Sequence, residues 1–322
     1  MLIIWFETLY PEQQVCRNDF CLQKTLQMIS NQTINKSKST SFSIDKRSYL
    51  STQELIKEYV EPSVPVVLTD AIKNWKAYGK FTFQYFRDNY GDVSKEIGGV
   101  NYKMADVIDM ILAENPEQKS PYPYNFDIKK YFPELLPDLK PEVLYSKSDR
   151  INHPLLLQVL LHGTTPYEIF FGGKGAAFPF LHTDALNLHT QITQLSGSKD
   201  FILYSPDQLP FMYPNADNPR FSSVDIFNPD YEKHPLFINA KPIKFTLYEG
   251  ETLLFPTGWW HSTQMHEPNI SFGRSQLNAA NWDGFITDNY RAMKKRISYL
   301  AAPVLAYGKI VGSIINRQES NS

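Results

Sequence analysis

The sequence predicts a mainly β protein, a sandwich or barrel, with helices before and after it. Three observations carry this reading. From Tyr167 onward, short β-branched and aromatic runs recur between Gly and Pro turn signals. Ahead of them, and again at the C-terminal end, apolar residues recur at helical spacing. The 322 residues are 42% hydrophobic and 14% aromatic, which supplies a core for such a sheet.

In chain order, Met1 to Phe6 is apolar but is broken by Glu7, with no basic n-region, so no signal peptide is expected. Cys16 and Cys21 are the two cysteines and are expected to be reduced, in a cytoplasmic setting. Ser30 to Ser48 is rich in Ser, Thr, Asn and Lys and reads as a connector. Residues 1–50 are therefore taken as an N-terminal extension, 51–285 as the body and 286–322 as a helical tail. The body opens with Ser51-Thr52-Gln53-Glu54, a capping box, followed by the apolar stripe Leu55, Ile56 and Tyr59. Pro62 and Pro65 end that helix, and Val64 to Leu68 reads as a buried strand. Helices are expected over Thr82 to Asn89 and Met104 to Ala113. Ser120 to Pro141 mixes Pro with Tyr, Phe and Leu without a period and is expected to be irregular but packed. Strands follow at Glu168 to Phe171, Asn187 to Gln194, Asp200 to Tyr204, Lys244 to Tyr248, Thr252 to Phe255 and Ile270 to Leu277. The tail, Ile286 to Ile315, is expected to be one helix kinked at Pro303, with Arg291, Lys294, Lys295 and Arg296 on a solvated face.

Charge and hydropathy exclude partners. With 32 Lys plus Arg against 34 Asp plus Glu, the net charge of -2 leaves no surplus for phosphate recognition, so no nucleic acid is expected. No segment is read as a membrane span, which needs roughly 20 apolar residues.

The chemistry concentrates in two places. In Pro179-Phe180-Leu181-His182-Thr183-Asp184, residues two apart on a strand share a face, so His182 and Asp184 project together. In Glu249 to His261 a turn, a buried strand and a Pro-Gly turn lead to a histidine behind Trp259 and Trp260. Two histidines and a carboxylate on rigid strands form the facial triad of non-haem iron(II) oxygenases, which leaves coordination positions open. A structural zinc site would close the tetrahedron instead. His153, His162, His234 and His266 lie in loop or Pro-rich contexts and are read as structural or solvent-exposed.

The run from Ser51 to Asn281 resembles the Jumonji-C family of Fe(II)- and 2-oxoglutarate-dependent oxygenases. The likeness is strongest to its small hydroxylase branch, which includes the asparaginyl hydroxylase of hypoxia-inducible factor. The motifs are Tyr59 to Leu68 with Trp75, Phe171-Gly172-Gly173 ahead of His182-Thr183-Asp184, Lys199 to Pro206, and Phe227-Asn228-Pro229-Asp230-Tyr231. The resemblance implies a double-stranded β-helix, or cupin barrel, flanked by N-terminal and C-terminal helices. His182, Asp184 and His261 would bind Fe(II), and Lys199 would anchor the distal carboxylate of 2-oxoglutarate, with dioxygen as the third participant.

Other cosubstrate contacts follow from the same resemblance. Asn187 matches the asparagine after the first metal pair, though its spacing from Asp184 is short, which leaves the register of His189 and Thr190 open. Pro179 stands where relatives often carry Ser or Thr, so Tyr167 and Ser271 become the candidate contacts. Arg274 lies on the strand after His261, where other 2-oxoglutarate oxygenases place their anchor; Lys199 is favoured, and Arg274 shares the role or binds an acidic substrate.

The expected activity is hydroxylation of a C–H bond in a peptide or protein side chain. The alternatives are the same chemistry on a small molecule, such as an amino acid or biosynthetic intermediate, and a non-oxygenase metal cupin or binding module. The lack of zinc-finger cysteines or a reader domain favours hydroxylation over histone demethylation. A homodimer through the C-terminal helices is the expected assembly.

Overall fold

The computed structural model describes residues 43–113, 115, 120–146 and 148–320. Cys16, Cys21, the apolar opening and all but the end of the polar connector lie outside the described residues.

Two sheets face each other. The larger has seven strands, β1 (Asp45–Arg47), β2 (Val66–Leu68), β10 (Thr252–Phe255), β7 (His189–Ser196), β12 (Asn269–Gln276), β6 (Tyr167–Gly172) and β5 (Tyr124–Asp127), in that spatial order. The smaller runs β11 (Trp260–Gln264), β8 (Lys199–Tyr204), β9 (Ile243–Leu247). Pleating turns alternate residues of the large sheet's central strands to opposite faces, both of them covered. Ile192, Leu253 and Phe255 face inward and meet Phe201, Leu203 and Leu247 of the small sheet. Ile169, Phe171, Leu195, Ile270 and Phe272 face outward and are covered by Phe83, Phe86, Val107 and Ile111. A strand buried on both faces reads as a continuous apolar run, as Val66–Leu68 and Thr252–Phe255 do. The result is a β jelly roll with flanking helices.

The helices that cover the outer face form where capping dictates. Ser51 accepts the Glu54 N–H at 3.2 Å and its own N–H donates to Glu54 at 2.8 Å, completing the capping box of α1 (Thr52–Leu55). Thr82 caps α2 (Phe83–Tyr90), and α3 spans Met104–Ala113. Between α2 and α3 a hairpin, β3 (Ser94–Ile97) and β4 (Val100–Lys103), turns through Gly98 and Gly99 at positive φ.

Three expectations are corrected. The 120–141 stretch holds β5, a short helix α4 (Ile128–Tyr131) and a 3-10 segment over Pro133–Leu139. Pairing with β6 supplies the order that the sequence lacks, and Tyr124 and Phe126 sink into the core. The tail is two helices, α5 (Trp282–Arg296) and α6 (Ser298–Ser320), broken at Ile297 rather than kinked at Pro303. They approach closely because Gly308 and Gly312 face Ile286 and Trp282; an added Cβ would lie 2.5 and 2.4 Å from those side chains. Finally, α6 is long and apolar enough, by length and composition, to cross a membrane. Here it packs along α5 and on residues 151–161 through Val311 and Ile315.

Arg150 ties α6 to the body. It is fully buried, lies over Trp282, and donates to Asn316 and to both oxygens of Glu319. Burial raises the Glu319 pKa, but the bonds from Arg150 and Ser148 outweigh it and hold it below the usual carboxylate range. Glu319→Ala leaves a buried guanidinium without its anion and is expected to cost about 3 kcal/mol in urea unfolding at neutral pH. Because the folded pKa is the lower one, the pair's contribution is present above the ordinary glutamate value. It is lost as pH falls through the folded pKa, so the wild-type advantage should vanish in acid.

Candidate metal centre

His182 is held by backbone pairing, not by a regular strand. Its N–H and C=O exchange bonds with His261 at 3.1 and 2.8 Å, and it bridges Phe221 on its other side. Pro179 has no N–H to extend the ladder. The expected strand is thus a single bridge on the edge of β11, and Asp184 then opens a 3-10 turn at Ala185–Asn187. His261 comes from β11, opposite Leu203. One ligand atom from each of His182, Asp184 and His261 lies within 4.8 Å of the others. The His261 Nε2 is 3.9 Å from the Asp184 Oδ2, and the two imidazole rings are 4.2 Å apart.

The tautomers suit a metal. His182 Nδ1 lies 3.2 Å from the Phe180 carbonyl and His261 Nδ1 lies 3.1 Å from the Trp259 carbonyl. A carbonyl only accepts, so each Nδ1 carries a proton, which leaves Nε2 as the nitrogen each ring can offer a metal. Burial, reinforced by His261, pushes the His182 pKa down to about 3, so that ring is neutral at pH 7. Burial works against ionisation of Asp184, but the His261 and His182 rings, the Thr190 hydroxyl and Arg220 outweigh it and keep its pKa low. Phe178 stacks on His182 at 4.4 Å and Phe255 lies 4.8 Å from His261, which thins the water around the ligands. Two imidazoles and one carboxylate fit an open Fe(II) site.

Lys199 and Ser271 face the interior of the same barrel. Lys199 is 3% exposed, and its Nζ donates to Ser271 Oγ at 2.6 Å. Among the described residues no carboxylate lies within ion-pairing distance of it, and burial pulls its pKa down to about 7. A buried ammonium facing only a hydroxyl fits a carboxylate from outside the chain.

Three expected contacts lie elsewhere. Tyr167 and Arg274 pair with each other across β6 and β12, on the face turned away from the barrel interior. Arg274 bonds Glu142 at 2.6 Å and Asp149 at 3.0 Å, and the Tyr167 hydroxyl accepts from Asn152. One residue of register decides this, since Gly273 and Ser271 face in while Arg274 and Phe272 face out. Asn187, at φ 51°, donates to Asp288 of α5 at 2.6 Å and packs over Gly284, so it ties the turn after Asp184 to the tail. His189 is a core histidine. Its Nδ1 accepts the Thr257 N–H at 3.1 Å, bracing the turn that leads to His261, and burial pushes its pKa down to about 4.

Three more polar groups matter near the site, of which the sequence named only Thr190, with its register open. Thr190 donates to Asp184 and orients its carboxylate. Tyr122 hydrogen-bonds Thr263, and burial raises its pKa. Glu168 faces inward from β6, accepts from Asn125 at 2.7 Å, and has its pKa pushed up to about 7 by burial. An inward phase on β6 was a usable signal for Glu168, whereas Tyr122 lies in the aperiodic stretch.

Comparison with known proteins agrees with this geometry. A family model described as a cupin-like domain matches residues 51–274. The chain is 27% identical over 261 residues to lysine-specific demethylase JMJ21 of Arabidopsis thaliana, covering 76% of this chain and 26% of that protein. It is 27% identical over 241 residues to arginine-specific demethylase JMJ22 of the same plant, covering 72% and 45%. To tRNA wybutosine-synthesizing protein 5 of Gallus gallus it is 28% identical over 145 residues, covering 45% and 40%. The chain thus spans less than half the length of these relatives.

Proposed function

Since the chain belongs to the cupin-like domain family of JmjC type, we propose that it is an Fe(II)- and 2-oxoglutarate-dependent oxygenase that hydroxylates a C–H bond in a peptide or protein side chain. The observation that carries the reading is the convergence of the His182, Asp184 and His261 ligand atoms within 4.8 Å in the barrel that also buries Lys199.

When bound, iron with 2-oxoglutarate and dioxygen supplies the oxidising power for C–H hydroxylation, the keto acid leaving as succinate and carbon dioxide. The chain's residues do the rest. His182 and His261 present Nε2 because their Nδ1 protons are committed to backbone carbonyls. Thr190 holds the Asp184 carboxylate. Lys199 and Ser271 receive the far carboxylate of the keto acid and so set its orientation. Phe178, Phe221 and Phe255 exclude water around the histidines.

Two demethylases of protein residues among the relatives support a peptide or protein substrate. The second reading, the same chemistry on a small molecule or biosynthetic intermediate, is favoured by similarity to a protein named for wybutosine synthesis. The net charge of -2 supports a substrate other than a phosphate backbone. A homodimer through the C-terminal helices is supported by Tyr299, Ile310 and Ile314, which α6 leaves exposed. A cytoplasmic setting accords with the paucity of cysteine.

The test is anaerobic reconstitution with Fe(II) followed by 2-oxoglutarate. A weak visible charge-transfer band is expected in wild type and should be missing in Asp184→Ala. A folded, iron-loaded protein without the band would turn the reading toward a metal cupin of other chemistry or a binding module.

A further inference from the structure

The sheet face turned away from the metal centre carries a cavity of about 560 Å³. It lies between β6, β7 and β12 on one side and the stretch from α4 to Glu142 on the other. That volume is within the roughly 300–1,000 Å³ range of small-molecule sites. Trp75, Leu136 and Phe272 form its apolar wall, with Trp75 and Phe272 in edge contact at 5.7 Å. Lys129, Asn152 and Tyr167 form a polar end.

The three cations here differ in how they are satisfied, and Lys140 is paired with Glu142. Arg274 is neutralised in place by Glu142 and Asp149. Lys129 donates to the Asn152 Oδ1 at 2.8 Å and sits 4.3 Å from the Tyr167 ring centroid, and neither group carries a charge. Among the described residues, no carboxylate lies within ion-pairing distance of Lys129. An ammonium has three donors, so donors remain for a ligand. Although the residue as a whole is exposed, partial desolvation of its ammonium holds the Lys129 pKa below the usual lysine value despite the more distant Asp149 and Asp127, and an arriving anion would reverse that.

We propose that this cavity is a binding site for a small aromatic carboxylate, its ring against Trp75 and Phe272 and its carboxylate on Lys129. The site is separate from the metal centre, because Tyr167, Phe272 and Arg274 point to one side of the sheet and Ser271 and Gly273 to the other. It stands whether or not the oxygenase reading does.

The test is calorimetric titration of the full chain with benzoate, with benzamide and acetate as controls for charge and ring. Benzoate is expected to bind one to one and more tightly than either control, and equally well when iron and 2-oxoglutarate are present. Lys129 is exposed, so Lys129→Gln should fold normally and weaken benzoate by roughly tenfold or more, the loss of one charge-assisted hydrogen bond. Leu136→Trp, which fills the cavity, should abolish binding. The proposal is overturned if benzoate shows no saturable binding, if acetate matches it, if 2-oxoglutarate displaces it, or if Lys129→Gln leaves it unchanged.

Discussion

His261→Ala is expected to weaken Fe(II) binding by well over the roughly 10- to 100-fold that follows loss of an outer-shell partner, and to abolish succinate formation. The reason is geometric. His261 Nε2 is the nitrogen that faces Asp184, at 3.9 Å, and its Nδ1 is held on the Trp259 carbonyl, so no other imidazole can take its place. His266, the nearest histidine in sequence, is exposed and bonds the Asp200 carboxylate at 2.6 Å, and His189 is buried on the outer side of β7 against Tyr145 and the Thr257 amide. Folding should survive the change, because the bridge to His182 uses backbone atoms only. Anaerobic iron titration together with circular dichroism would check both halves. An iron affinity like wild type would remove His261 from the ligand set.

Lys199→Ala should weaken 2-oxoglutarate by about 2 to 4 kcal/mol, roughly 30- to 1,000-fold, the cost of truncating one partner of a buried charge pair. Arg274→Met is expected to destabilise the fold, since it leaves Asp149 without its cation and Glu142 with Lys140 alone, while sparing cosubstrate affinity in the protein that remains folded. Titrating the charge-transfer band separates the two. The reverse pattern would move the anchor to the other face of the sheet. Affinity should also depend on pH with a definite sign. The free protein's Lys199 pKa is lowered to about 7 by burial, and a carboxylate ligand favours the ammonium. Binding should therefore be strongest below about pH 7 and weaken by up to about tenfold per pH unit above it. The same depression makes the unfolded chain the better proton binder between that pH and the ordinary lysine value, so this group's contribution to stability rises with pH there.

Local signals were legible where a short-range rule decides the structure. The Ser51 capping box, α3 over Met104–Ala113, and strands such as Thr252–Phe255 follow from caps and periodicity within a few residues. The His182, Asp184 and His261 constellation was legible because an alternating pair and a turn-bound histidine are uncommon together. Tyr167, Arg274 and Asn187 were not, and for one reason: each is assigned by register or by a distant partner. Arg274 is one residue out of phase with Ser271 and Gly273, and Asn187 is claimed by Asp288 in a helix the sequence places far away.

By itself, then, the sequence determined the mainly β architecture, its flanking helices and the residue types of the candidate metal centre, because these depend on patterns within a strand or a turn. Tertiary structure alone decided which cation faces the barrel, how His182 is held without a strand of its own, and that Arg274 lines a cavity on the other face of the sheet. Those outcomes depend on which strand pairs with which, at what register, and a shift of one residue exchanges the two faces of a sheet.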